Sequence, residues 1–362
     1  MTALYGIFAL TLAGLLAAGA VEQHRHFARL ESIPVRILVN GIRGKSSITR
    51  LIAGALRGGG LRVVAKTTGT AARLIAPDGS EEPVERAFGL ANVIEQVAIV
   101  RRAVRRRPDA LVIECMAVDP ALQEVNQRKL IRSTIGVISN VREDHLAEMG
   151  PTLDDVARSL ARSLPERGMC VTAEATRLHV LEHEAAKRRC RLISADPDSV
   201  TDEELAGFPY LAFKENVAIA LAVAGELGVE RGDALRGMWR AAPDPGVLSV
   251  ETYGIDGKTI RLANVFAAND PDSTVMNVER LLEAGMIAAP LFAVVNCRPD
   301  RVERNRQMGE LVPRLRAERV FVIGHPARSA IAALPGDWRG EVVDLGGERA
   351  PPRTRPVRRS RR

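Results

Sequence analysis

Residues 40–47, Asn-Gly-Ile-Arg-Gly-Lys-Ser-Ser, gather the groups that a bound phosphate needs. Gly41 and Gly44 let backbone N–H groups approach an anion, and Lys45 neutralises its charge. The Ser46 hydroxyl, with Ser47 behind it, is placed to hold Mg²⁺. This is not the long Walker A form, because the position six before Lys45 is Val39 rather than glycine. An ordinary glycine turn before a helix is the plainer alternative. Two further residues stand where chemistry is expected. Glu114 closes the apolar run 110–114, which places a carboxylate at a strand end where it could serve magnesium directly or through water. A capping or salt-bridging role is its alternative. His145 ends Ser139-Asn140-Val141-Arg142-Glu143-Asp144-His145 after a second apolar run, and that cluster suits a metal or a transferring phosphoryl group. A structural histidine is the other reading.

Such side chains need a sheet edge to hold them. Val35–Val39 reads as a strand buried on both faces, and Ile48, Leu51, Ile52, Ala55 and Leu56 repeat at helical spacing until Gly58-Gly59-Gly60 stops the helix. The glycine loop therefore joins a strand to a helix. Further strands are expected near 61–66, 110–116, 133–141, 169–173 and 191–196, with helices near 92–107, 153–164, 176–189 and 215–227. This alternation predicts an α/β fold with a doubly wound, mainly parallel sheet and its site at the strand C-terminal ends. Pro243-Asp244-Pro245-Gly246 breaks the pattern. Strands near 249–254 and 258–266, helix 274–284, strand 291–297, helix 303–316 and strand 319–323 then read as a smaller C-terminal α/β domain.

Four segments follow: an anchor at 2–21, an ATP-binding P-loop domain at 33–242, the smaller domain at 247–348, and a tail at 349–362. Residues 2–21 carry no charged side chain over 20 positions, enough for a transmembrane helix. Arg25 and Arg29 follow it, which places the catalytic domains in the cytoplasm and the protein at the cell membrane as a single-pass chain. A secretory signal cut near Ala18-Gly19-Ala20 or a buried core helix are the competing readings. Against the signal stand the missing basic start and an ATP site that would find no ATP outside.

The net charge of +7 invites a nucleic-acid partner, but all of it lies in the tail. Residues 349–362 hold seven arginines and no acid, whereas 1–348 hold 44 basic and 44 acidic side chains. No nucleic acid is expected to bind the body. The tail is too poor in apolar residues to fold alone. Four scattered cysteines without a CxxC pair suit a reducing compartment and offer no zinc site. Lysines number only six against 45 arginines, and two of them, Lys45 and Lys66, fall in the most patterned region.

These motifs, in this order, resemble the Mur ligase and folylpolyglutamate synthase superfamily. Within it the chain looks closest to the poly-γ-glutamate synthase ATPase subunits of the CapB or PgsB type. The shared text includes NGIRGKSS (40–47), KTTGTAAR (66–73), IECMAV (113–118), NVREDHLAEMGPT (140–152), APDPG (242–246), FAANDPDST (266–274) and NCRPDRVER (296–304). It spans roughly residues 3 to 325.

The resemblance implies that Gly41, Gly44, Lys45, Ser46 and Ser47 hold the ATP triphosphate with Mg²⁺, that Glu114 and His145 assist with metal, and that Asn216 lies near the adenine. Lys45, Glu114 and His145 are the implied catalytic residues. Lys66 and Thr67, with the turn to Thr70, would face the acceptor chain, a helix-linking turn being the alternative. Arg298 and Arg301 would clamp a phosphate or a glutamate carboxylate, since guanidinium groups bind oxyanions in two-pronged fashion; a solvated charged loop is the other reading.

Three departures from the superfamily stand out. The phosphate loop begins at residue 40, directly after the anchor, so a muropeptide substrate is not expected. No lysine lies between Lys129 and Lys187, where many Mur ligases carry a carbamylated one, so a second magnesium must be held otherwise. The Pro-Arg text at the end implies that the last sheet elements are absent or altered. The implied activity is an ATP-dependent amide ligase that adds glutamate to growing poly-γ-glutamate, through an acyl phosphate, with small membrane subunits as partners. The alternative is a P-loop ATPase that energises polymer export without making bonds.

Overall fold

In the computed structural model, which describes residues 2–68, 72–85, 92–244, 247–266, 268, 271–299 and 301–346, the run Val35–Asn40 is β1, paired on both sides. The tail 349–362 and Thr70, with its neighbours 69 and 71, lie outside the described residues. The chain divides into two units, one up to residue 245 and one from residue 246.

The first unit is an eight-stranded sheet. With β2 (Val63–Lys66), β3 (Arg73–Ile75), β4 (Glu81–Pro83), β5 (Ala110–Glu114), β6 (Ile135–Ile138), β7 (Met169–Thr172) and β8 (Arg191–Ser194), its order is β4-β3-β2-β5-β1-β6-β7-β8. Six of these strands run parallel, as the βα alternation requires; β3 and β4 form an antiparallel edge. That edge escaped the sequence reading because three-residue strands are too short to show a period.

Helix α1 (Thr2–Glu31) precedes the sheet, and α2 (Lys45–Gly58) follows β1. Then come α3 (Glu95–Val104), α4 (Pro120–Val125) with a π-helical turn at Asn126–Ile131, α5 (Leu146–Met149), α6 (Leu153–Leu160), α7 (Leu178–Lys187), α8 (Asp202–Ala206), α9 (Lys214–Glu226) and α10 (Arg231–Arg240). Local capping marks several starts. Asp119 accepts from Ala121 and Leu122 N–H groups ahead of Pro120, and Thr152 with Asp155 forms a capping box on α6.

Side chains alternate between the faces of the central strands. Ile37, Val39, Val63 and Val112 join α2, α9 and α10 in one core, while Leu38, Val64, Leu111 and Ile113 meet α3 and the end of α1 in another. Burial on both faces explains why these strands read as unbroken apolar runs. All four cysteines are buried, and burial pushes the Cys190 thiol up to about 11, which fits packing rather than chemistry.

Helix α1 runs ten residues beyond the uncharged segment. Leu4, Phe8, Leu10 and Leu15 are exposed along its first half, and no part of the apolar window is covered by protein. His26 and Leu30, by contrast, are buried against the body.

The second unit opens on an antiparallel hairpin, β9 (Ser249–Ile255) and β10 (Lys258–Asn264). A parallel sheet of β11 (Leu291–Cys297), β12 (Ala317–Gly324) and β13 (Glu341–Gly346) follows, with α11 (Pro271–Glu283), α12 (Val302–Leu311) and α13 (Ala327–Ala332). The helix expected over 303–316 stops at Leu311 and tightens into a 3₁₀ turn at Val312–Leu315, where Pro313 supplies no N–H. The closing sheet elements, expected to be absent or altered, include β13, which is present and pairs with β12.

Candidate functional site

The strand order places β1 between β5 and β6, so the three motifs leave the sheet from adjacent strand ends. Val39 pairs with Glu114 on one side, and Asn40 with Ile138 on the other. The glycine loop, the strand-end carboxylate and the 139–145 segment are therefore neighbours through register alone.

Backbone conformation shapes the loop. Gly41 has φ +124°, and a β-carbon there would stand 2.0 Å from Ser139 Oγ and 2.8 Å from its backbone nitrogen. Gly44 has φ +78° and starts α2, and a β-carbon there would stand 3.2 Å from Asn216 Oδ1. Gly41 excludes a side chain by strain and by space, whereas Gly44 disfavours one by its backbone conformation and is only tight against Asn216. Gly41→Ala is expected to cost about 2–3 kcal/mol of unfolding free energy. Denaturant titration checks it, and a loss below about 0.5 kcal/mol would contradict this geometry.

Asn140 fixes the middle of the loop. Its Oδ1 accepts from Arg43 N–H at 3.0 Å, its Nδ2 donates to Arg43 O at 3.1 Å, and its own carbonyl accepts from Ile42 N–H at 3.3 Å. Arg43 also pairs with Asp144 at 3.2 Å. Below the loop, buried Asn40 donates to Gln123 Oε1 at 2.8 Å and Ser163 Oγ at 3.0 Å, which satisfies a polar side chain in the core.

Lys45 is the first residue of α2, and its ammonium reaches back to the carbonyls of Gly41 at 2.8 Å and Ile42 at 3.2 Å. Ser46 Oγ donates to Glu114 Oε2 at 2.7 Å. The same carboxylate oxygen accepts from Thr68 N–H at 2.7 Å, and Glu114 is 3% exposed. A hydroxyl and a carboxylate in contact beside a phosphate loop form a hard-oxygen pair. Among the described residues no three His, Cys, Asp or Glu side chains converge into a metal cage. The pair fits magnesium, which takes one or two protein oxygens and completes its shell with phosphate and water.

The other expected residues are placed as follows. His145 is in a left-handed conformation (φ 51°) at the start of α5; its ring is half-exposed, 3.8 Å from Asp144 and 3.9 Å from Glu148. Asn216, expected near the adenine, lies against Gly44 at the start of α2. Lys66, expected to face an acceptor, is instead fully buried, with its ammonium 2.7 Å from Glu95 and 3.9 Å from Met116 Sδ. Thr67 is buried beside it, and its hydroxyl accepts from Arg73 N–H. Arg298 and Arg301 belong to the second unit, where Asn305 Oδ1 accepts from Arg298 N–H at 3.1 Å and Arg301 precedes α12.

Nothing in the sequence around Asn140 marks it as the clamp of the loop. Asp244 was not legible either. Burial raises the Asp244 pKa, Arg50 opposes the rise, and Glu114 and Glu81 add to it, so this carboxylate shares the electrostatic surroundings of Glu114. Arg50 is itself buried and holds Glu81 in a two-pronged pair, with 3.0 Å between Nη2 and Oε2.

Residues 39–224 match the Mur ligase middle domain, and residues 250–357 match the poly-gamma-glutamate synthase CapB C-terminal domain. The second match runs well past residue 325, into the stretch where the sequence reading saw the resemblance end. The chain is 41% identical over 322 residues to the capsule biosynthesis protein CapB of Bacillus anthracis, covering 88% of this chain and 69% of that one. It is 38% identical over 321 residues to the PGA synthase CapB of Bacillus subtilis strain 168, covering 88% and 82%. Among solved structures, it resembles a bifunctional folylpolyglutamate synthase/dihydrofolate synthase with Mn, AMPPNP and L-glutamate bound, at 18% identity and TM-score 0.65 over 87% of this chain and 82% of that one.

Proposed function

The chain belongs to the CapB family, whose middle part is a Mur ligase domain, and from that premise we propose that it is the ATP-dependent amide ligase of poly-γ-glutamate synthesis. The observation that carries the mechanism is the 2.7 Å contact between Ser46 and Glu114 beside the Gly41–Lys45 loop.

In this reading the loop N–H groups and Lys45 bind the triphosphate, with Asn216 beside Gly44 on the nucleotide. Ser46 and Glu114 would hold Mg²⁺, which supplies charge neutralisation at the phosphate oxygens. His145, from the strand end on the other side of the loop, lies beside Asp144 and Glu148 and would assist from there rather than as a direct partner of the Ser46–Glu114 pair. A γ-carboxylate of the polymer attacks the γ-phosphorus; the bond to the bridging oxygen breaks, ADP leaves, and an acyl phosphate forms. The amine of an incoming glutamate then attacks the acyl carbon, expels phosphate and loses a proton. The chain's part is positioning and charge stabilisation, because a free carboxylate is a poor electrophile and the anhydride must be kept from water. Arg298 and Arg301 are assigned to a carboxylate or phosphate of these substrates. Helix α1 is assigned as a single-pass anchor with both units in the cytoplasm, working with small membrane subunits.

Oxygen-isotope transfer tests the reaction. With ¹⁸O in the carboxylate of the acceptor and membranes holding the full chain and its partner subunits, one ¹⁸O is expected in the released phosphate for each amide formed. Phosphate labelled only from solvent water would reject ligation and leave an ATPase.

A further inference from the structure

The edge of the sheet opposite the phosphate loop has a recurring feature. Among the described residues of the first unit, five non-glycine residues have left-handed backbone: Arg107, Arg132, His145, Arg167 and Arg189. His145 lies at the loop edge. The four arginines each stand within three residues of the start of a parallel strand, ahead of β5, β6, β7 and β8 respectively. The turn before β2 has Gly60 in the same role, the residue that adopts this conformation without strain. A helix-end cation would complement the helix dipole from any position in the last turn, so that effect does not require arginine at the strained one.

Two of these arginines border a groove of about 660 Å³ that is lined by seven cationic and three acidic side chains. Arg167 and Arg189 enter it from turns that touch, since Arg167 N–H donates to Arg188 O at 3.0 Å. Glu124 pairs with Arg162 and Arg128, Glu166 with Arg128, and Glu184 with Lys187, so all three acids are engaged and the groove keeps a net excess of four cations.

Helix α1 meets the body at this same edge. His26 Nε2 lies 2.9 Å from Leu130 O, the Arg132 guanidinium stands 4.8 Å from the Phe27 ring centre, and Arg132 pairs with Glu31 at 3.4 Å. Leu130 belongs to the π-helical turn whose Arg128 lines the groove, so the apolar helix and the cationic groove are fastened to one element.

We propose that this edge is a lipid-headgroup surface: the groove and the turn arginines bind the phosphodiesters of anionic phospholipid in the leaflet that α1 enters, with the phosphate loop on the far side of the sheet. The proposal rests on α1 being membrane-spanning. It gives the ligase a fixed orientation, because a single helix would otherwise leave the body free to tilt.

The test uses the full chain in phosphatidylcholine nanodiscs with increasing phosphatidylglycerol, reading amide hydrogen exchange over residues 164–168 and 186–190. Phosphatidylglycerol is expected to slow exchange there. The double variant Arg167→Gly/Arg189→Gly, whose turns favour glycine and whose thermal midpoint should not fall, is expected to need about tenfold more phosphatidylglycerol for the same effect. Arg236→Gln/Arg240→Gln removes equal charge from α10 and should match wild type. Exchange indifferent to phosphatidylglycerol, or equal in the glycine variant and wild type, overturns the proposal. So does protection produced in pure phosphatidylcholine by added poly-γ-glutamate, which would make the groove a polymer site. Failure of the chain to stay with discs in high salt would instead reject α1 as a membrane helix, and the proposal with it.

Discussion

Lys45→Ala is expected to lower glutamate-dependent ATP turnover by about 10²–10³-fold, the usual consequence of removing one preorganised charge from a transferring group. The ammonium is held over the loop by the Gly41 and Ile42 carbonyls, at 2.8 and 3.2 Å, so it is aimed before substrate arrives. Losing those two contacts at a partly exposed site should cost only about 1 kcal/mol of stability. The activity loss therefore should not come from unfolding. Lys45→Arg is not expected to rescue, because a planar fork cannot stand in for a compact ammonium between two carbonyls 2.8 and 3.2 Å away. Steady-state ADP release, with thermal unfolding alongside, decides the matter. Turnover above a tenth of wild type in a folded Lys45→Ala protein would remove Lys45 from the mechanism.

Lys66→Met is expected to destabilise the first unit by about 3–5 kcal/mol, the cost of leaving one member of a buried ion pair alone. Lys66 is fully buried and Glu95 is 12% exposed, so neither water nor salt can replace the lost partner. The pair closes the end of β2 against α3, and two residues later Thr68 N–H donates to Glu114. Loosening this corner should therefore also weaken the Ser46–Glu114 arrangement. Lys66→Met combined with Glu95→Leu should regain most of the stability, since an apolar pair of similar size carries no desolvation penalty. Urea unfolding of the three variants checks this. A single variant as stable as wild type would mean that the pair contributes nothing.

Much of the site was legible in residue order. The loop needs Gly41, Gly44, Lys45 and Ser46 within six residues, between a strand and a helix, and every part of that is local. Glu114 was legible too, as the first charge after a buried run. The burial of Lys66 and its pairing with Glu95 were not legible. A lysine beside a threonine-rich turn resembles a substrate contact until its partner is known, and Glu95 lies 29 residues further on, beyond a hairpin too short to read. Asn140 was visible as a polar residue, but nothing near it announces that both halves of its amide close on Arg43, 97 residues earlier.

Taken alone, the sequence determined the alternation of strands and helices, the phosphate loop, the family and the apolar first helix. Each is written in neighbouring residues, where periodicity, glycine placement and charge report the burial of one face or the turn of one backbone. Tertiary structure decided the partners. Only the order β5-β1-β6 brings Glu114 and Asn140 to the two sides of the loop, sends Lys66 inward to Glu95, and collects the turn arginines on the edge where α1 arrives. Strand order depends on which apolar faces bury one another across long separations, and no local pattern encodes that choice.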